Sequence, residues 1–123
     1  MFVSLIAAAA TAGLPFPVLT DAYLDQVRGA MEAHLPDYGS TKVKTAYDMF
    51  MKYPNGSTSL DLCIMANTKN RFGGYDGFRW YRFVKFTSSG NYVLASDEND
   101  QLVCNDHLSL PVDQHDYGPD VAP

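Results

Sequence analysis

Residues 42–53 alternate without interruption. Val43, Thr45, Tyr47, Met49, Met51 and Tyr53 fall on one side, and Lys42, Lys44, Ala46, Asp48, Phe50 and Lys52 on the other. A side-chain period of two belongs to a β-strand, and a strand needs a partner for its backbone N–H and C=O groups. The partner follows directly. Pro54-Asn55-Gly56-Ser57 is a hairpin turn signal in which Asn-Gly supplies positive φ. Residues 58–67 then return with Leu60, Leu62, Ile64 and Ala66 on one face and Asp61, Cys63, Met65 and Asn67 on the other.

The hairpin is extended on both sides. Residues 78–86 predict a third strand that is apolar on both faces, with Trp80, Val84 and Phe86 opposed to Tyr81 and Phe83. A strand of that kind is covered on both sides. Ser88-Ser89-Gly90-Asn91 turns it into a fourth, residues 92–95. Upstream, Thr20 or Asp21 caps a helix of about four turns whose Leu24, Val27, Met31 and Leu35 share one face and which Pro36 ends. The expected fold is α+β, with one N-terminal amphipathic helix packed on an antiparallel meander of three to four strands. One cover of the third strand is then the helix. The other is left to the acidic tail, the apolar head or a neighbouring molecule. The expected organisation is an apolar segment over residues 1–19, one domain over 20–110 and an acidic, Pro-containing tail over 111–123. With 123 residues, of which 46% are hydrophobic and 19% charged, the chain has enough apolar mass for one core and is not a disordered polyelectrolyte.

Between the second and third strands lies Asn67-Thr68-Lys69-Asn70-Arg71-Phe72-Gly73-Gly74-Tyr75-Asp76-Gly77. Three glycines in five residues imply positive φ or a close backbone approach, so this is a structured loop. Asn67, Asn70, Gly73, Gly74 and Gly77 are its expected framework. Lys69, Arg71, Phe72, Tyr75 and Asp76, with Arg79 and Trp80 just beyond, are its expected contact surface. Arg79, Trp80, Tyr81 and Arg82 have the composition of a stacking platform for single-stranded nucleic acid. The simpler reading of the same residues is a two-sided core strand with snorkelling arginines.

Charge is unevenly placed. Net charge is −5, yet residues 69–85 carry five bases against Asp76 alone, while residues 95–123 carry seven acids and no Lys or Arg. The acidic tail is solvated, or it meets the basic segment within the chain or between copies. Nucleic acid is a poor partner for a net acidic chain. The head, residues 2–12, is apolar and small and ends in the A-x-A site Ala10-Thr11-Ala12, the outline of a secretory signal without its basic start. An uncleaved assembly arm is the alternative. Pro15 and Pro17 cut the apolar stretch short of the roughly 18 to 20 residues of a membrane-spanning helix.

Two cysteines, Cys63 and Cys104, read as a disulfide in an exported chain and as two buried thiols in a cytosolic one. His107 and His115 stand among Asp106, Asp113 and Asp116 in no compact zinc or calcium spacing. Asp97-Glu98-Asn99-Asp100 begins like a calcium loop, but Leu102 stands where that loop needs glycine. His34, near the apolar face of the helix, reads as a satisfied semi-buried histidine. No nucleophile elbow and no phosphate-cradling spacing occurs, and the glycine loop leads into a strand where such cradles lead into a helix. No metal or cofactor is expected, and the pattern points away from an enzyme.

The run Cys63-Ile64-Met65-Ala66-Asn67-Thr68-Lys69-Asn70-Arg71-Phe72-Gly73-Gly74-Tyr75-Asp76-Gly77-Phe78 resembles a group of small, mostly uncharacterised proteobacterial proteins, usually exported, that carry a cysteine, a segment like V-N-A-K-N-x-[FY]-G-G-Y-x-G and an aromatic strand. About 20 residues match closely. The resemblance implies a small exported or envelope-associated domain with Cys63 as half of a disulfide, and it implies no activity. The chain departs from the pattern in its head and its acidic tail, which leaves room for a virion or other assembly version. The function expected is a non-enzymatic structural or interaction module, a subunit of a larger assembly that binds protein partners or copies of itself. A free periplasmic protein binding a ligand through Lys69, Arg71, Tyr75 and Trp80 is the alternative, and an enzyme of unknown class the third.

Overall fold

Thr20 starts the first helix because its Oγ accepts the otherwise orphaned N–H of Tyr23, at 3.1 Å. This helix, α1 (Asp21–His34), buries Tyr23, Leu24, Val27, Ala30 and Met31 along one stripe, and Leu35 closes it ahead of Pro36. A single 3-10 turn, Tyr38–Ser40, leads to the sheet: β1 (Lys42–Lys52), β2 (Thr58–Asn67), β3 (Arg79–Phe86) and β4 (Tyr92–Ala95), antiparallel in the order β1-β2-β3-β4. Two helices follow, α2 (Glu98–Leu108) and α3 (Gly118–Val121). This computed structural model describes residues 19–86, 91–95, 97–108 and 116–123. The apolar head with its A-x-A site, the Ser88-Ser89-Gly90 turn and His115 lie outside the described residues.

The α+β meander stands, but the expectation of one N-terminal helix on three to four strands is corrected. The helix nearest the start of the chain begins only at Asp21, after residues outside the described set, and it is not alone, since α2 and α3 follow the sheet. The sheet therefore has two covered faces. On the α1 face, Ala46, Leu62, Ile64, Ala66 and Phe83 pack with the helix stripe. On the opposite face, Tyr47, Met49, Cys63 and Trp80 pack with Cys104 of α2.

The alternation of β1 is broken once. The β1–β2 register shifts between Val43 and Thr45, so Lys44 is an extra residue. As a result Val43 packs with the α1-face cluster, away from Tyr47, with which strict alternation groups it. The hairpin turn forms as its sequence predicts. Gly56 has φ +88°, and Asn55 Oδ1 accepts from the Ser57 N–H at 2.9 Å.

Residues 116–123, expected as part of a tail beyond the domain, instead complete it. Tyr117 and Val121 are part of the α1-face core. Asp116 Oδ1 accepts from the Ala46 N–H at 2.9 Å, and the Tyr117 N–H donates to the Ala46 carbonyl at 2.9 Å. These bonds cover groups that the edge strand β1 would otherwise expose. Gly118 is required there, because a Cβ would stand 3.0 Å from Thr45 Cα. Arg28 of α1 holds the Asp120 carbonyl from the other side, through Nη2 at 2.6 Å and Nε at 3.1 Å.

Candidate functional site

The loop between β2 and β3 is organised by Asn70. Its Oδ1 accepts from the Phe72 N–H at 2.8 Å and the Gly74 N–H at 3.1 Å, and its Nδ2 donates to Asp76 Oδ1 at 3.0 Å. Backbone bonds close the same turn: the Asn70 N–H donates to the Gly74 carbonyl at 2.8 Å, and the Gly73 N–H donates to the Asn70 carbonyl at 3.0 Å. Lys69 and Tyr75 form a bridge across its neck, and Asn67 Oδ1 accepts from the Gly77 N–H at 3.1 Å. Gly73 at φ +86° and Gly77 at +101° hold the backbone where a Cβ is disfavoured. Gly74, grouped with them by sequence, is not in that region, and a Cβ there would make ordinary contact with the Asn70 side chain at 3.8 Å.

The base of the loop is anchored to the 3-10 turn. Thr41 and Thr68 are both buried, their hydroxyls 2.9 Å apart, and each donates to the Asp37 carbonyl. Tyr75 reaches the same turn, its hydroxyl donating to the Ser40 carbonyl at 2.8 Å. The loop is thus a fixed structure whose apolar side chains face water: Phe72 is 85% exposed, Phe78 48% and Tyr75 40%. Cations surround them. Lys42 Nζ lies 4.7 Å and Lys69 Nζ 5.7 Å from the Tyr75 ring centre, the Arg71 guanidinium 5.3 Å from Phe72, and Lys44 Nζ 6.0 Å from Phe78. Arg79 stacks at 5.9 Å on Tyr81.

Of the expected surface residues, Lys69, Arg71, Phe72, Tyr75 and Asp76 share the loop, and Arg79 begins β3 and stacks on Tyr81. Trp80 does not join them. It is 2% exposed beneath α2, edge-on to Tyr47 at 5.6 Å. A strand turns successive side chains to opposite faces, so Trp80 and Tyr81 form no common stacking platform. Sequence reasoning missed Lys42 and Lys44, which join the surface because β1 begins beside the loop and because the bulge falls at Lys44. The sequence pattern places Phe78 in the third strand, but β3 begins one residue later and leaves its ring exposed.

The buried polar groups are fastening points. Asp48 accepts from Tyr23 at 3.0 Å and from Tyr117 at 2.6 Å. Burial raises its carboxyl above the usual range, and the two tyrosine bonds partly offset that. Desolvation raises the Tyr23 and Tyr117 phenols as well. On the other face Arg82 pairs with Asp61 at 2.7 Å and Asp100 at 2.9 Å. Burial lowers the Arg82 guanidinium, and the bonds to Asp61 and Asp100 outweigh it, leaving it raised. The Gln101 amide bonds both backbone groups of Trp80, at 2.7 and 2.6 Å. Cys63 and Cys104 form a disulfide with Cα atoms 5.7 Å apart, fixing α2 to β2.

Among the described residues no three His, Cys, Asp or Glu side chains are grouped to hold a metal ion. No helix among them is long and apolar enough to cross a membrane. No protein-family model matches the chain, and no curated protein or solved structure matches it either.

Proposed function

We propose that this chain is a non-enzymatic interaction module, a subunit of a larger assembly that docks protein partners or further copies of itself through the β2–β3 loop. One observation carries the reading: Phe72, 85% exposed, stands with Tyr75 and Phe78 on a loop held rigid by Asn70 and ringed by cations. Exposed aromatic side chains cost solvation free energy unless a partner covers them, and aromatic residues with arginine are the residue types that dominate interface energies. A preformed loop loses little further entropy on docking. The exported or envelope-associated setting, or a virion, is part of the same proposal. The disulfide pair is compatible with it, since such bonds persist in oxidising surroundings.

The test is chemical crosslinking of the full-length chain in its native source, comparing the wild type with Phe72→Ser. The neighbours crosslinked to the wild type disappear in the variant at unchanged melting temperature. The same neighbours captured with equal yield would overturn the reading.

A further inference from the structure

The outer face of α2 is the counterpart of the loop surface. Glu98, Leu102 and Asp106 fall at i, i+4 and i+8 and are all exposed, with Leu102 at 59%. They therefore form one line along the helix, an apolar residue with an acid one turn to either side. Its inner face is engaged with the sheet through Asp100, Gln101 and Cys104. The loop presents the inverse arrangement, with the exposed Phe72 ring beside Arg71 and the Tyr75 ring beside Lys69. An apolar centre with a complementary charged rim is the organisation of a specific protein interface. Within one chain the two surfaces do not cover each other, because Phe72 and Leu102 are both exposed.

We infer that the partner is a second copy of this chain, its α2 stripe of Glu98, Leu102 and Asp106 covering the Phe72 loop of the first. The inference rests on the interaction-module reading. It adds the occupant and the geometry. The two patches are different, so the contact joins head to tail, and each added copy leaves one loop and one α2 face free for the next unless the contacts close into a two-fold dimer or a ring. The chain carries a net charge of −5, so copies repel overall. The local pairing of opposite charges therefore sets the register and weakens with salt.

The experiment is sedimentation velocity on the full chain, wild type and two variants, Arg71→Glu and Leu102→Asp. Both positions are exposed, and unchanged melting temperatures confirm that the variants fold. The wild type associates with rising concentration and dissociates with added salt, and each variant alone self-associates at least about tenfold more weakly. A mixture of the two forms a 1:1 heterodimer that grows no further, since one keeps only its α2 face and the other only its loop. A heterodimer at that limit is the signature of head-to-tail contact. A wild type that remains monomeric, or variants that associate alone as well as the wild type, would overturn the inference. That result leaves the interaction-module reading to the Phe72→Ser crosslinking comparison, which reports on partners of any kind.

Discussion

The Tyr117 hydroxyl donates a 2.6 Å hydrogen bond to Asp48 Oδ1 across 69 residues of sequence, joining the C-terminal segment to the first strand inside the core. Tyr23 of α1 donates to the same carboxylate, so three elements meet at one buried acid. Asp48→Ala leaves two buried hydroxyls without this acceptor. It is expected to lower the unfolding free energy by about 2–6 kcal/mol, at roughly 1–3 kcal/mol for each of the two stranded groups. The urea midpoint checks this, and an unchanged midpoint refutes it.

The same acid gives a pH signature of definite sign. Its folded value is raised above the ordinary aspartate value that it has when unfolded. Between those two values the folded chain keeps a proton that the unfolded chain has released. The stabilisation is thus fully present below the unfolded value and is lost as pH rises through the folded one. Asp48→Asn removes that dependence. The difference in unfolding free energy, wild type minus Asp48→Asn, declines as pH rises from about 4 and then levels off. A difference that grows with pH over that window would show that the carboxyl is depressed instead.

The disulfide closes a segment with a sequence separation of 41. Replacing both cysteines with serine is expected to cost about 4 kcal/mol on the chain-entropy estimate. The loss centres on α2, whose remaining polar ties to the rest of the domain include the Arg82–Asp100 pair, the Gln101–Trp80 bonds and the Tyr47 hydroxyl bond to the Cys104 carbonyl. Hydrogen exchange accordingly rises first in α2, while the amides shared by β1 and β2 retain protection. Uniform loss of protection throughout the chain would contradict this order.

Gly73 and Gly74 separate under substitution although they are neighbours. At Gly73, φ +86° is penalised for any residue with a Cβ, by about 1–2 kcal/mol. At Gly74 the backbone is not in that region and an added Cβ meets only the Asn70 side chain, at 3.8 Å. Gly73→Ala is therefore expected to lower the melting temperature and Gly74→Ala to leave it nearly unchanged. Equal effects at the two positions would refute the backbone assignment.

The legible parts of the fold are those in which one strong local rule acts. Strict alternation and Asn-Gly placed β1, the hairpin and β2, and the stripe of Leu24, Val27, Met31 and Leu35 placed α1. The second cover of the sheet was hidden because the inner face of α2 is not an apolar stripe. Asp100, Gln101 and Cys104 tie it to the sheet through an ion pair, amide bonds and a disulfide, with Val103 partly buried beside them, while Leu102 points to water. The N-terminal signal of that helix was present as Asp97, whose carboxylate accepts from the Asp100 N–H at 3.0 Å. By spacing alone the same residues resemble an incomplete calcium loop. Trp80 was misplaced for a related reason: its exposure is decided by what lies over β3, and that cover begins about 20 residues later, in α2. The loop residues were found because glycine and asparagine spacing is local. Lys42 and Lys44 were not, because only strand pairing brings them to the loop.

Asn70 separates loop order from overall stability. Its side chain bonds the Phe72 and Gly74 amides and Asp76, all within the loop, and none of these partners is in either core cluster. Asn70→Ala therefore frees the tip while Thr41, Thr68 and the Tyr75 hydroxyl still hold its base to the 3-10 turn. The global change in stability is expected to remain below about 1 kcal/mol, the usual scale for an exposed hydrogen-bonding group. Hydrogen exchange at the Phe72 and Gly74 amides rises at least about tenfold as their acceptor is lost. Docking through the loop weakens in parallel, because a disordered tip must be ordered again on contact and Phe72 is no longer held out in place. If the two amides keep their protection, Asn70 is not the organiser of the loop. If they lose it and docking is unchanged, the preformed shape of the tip is not what the partner reads.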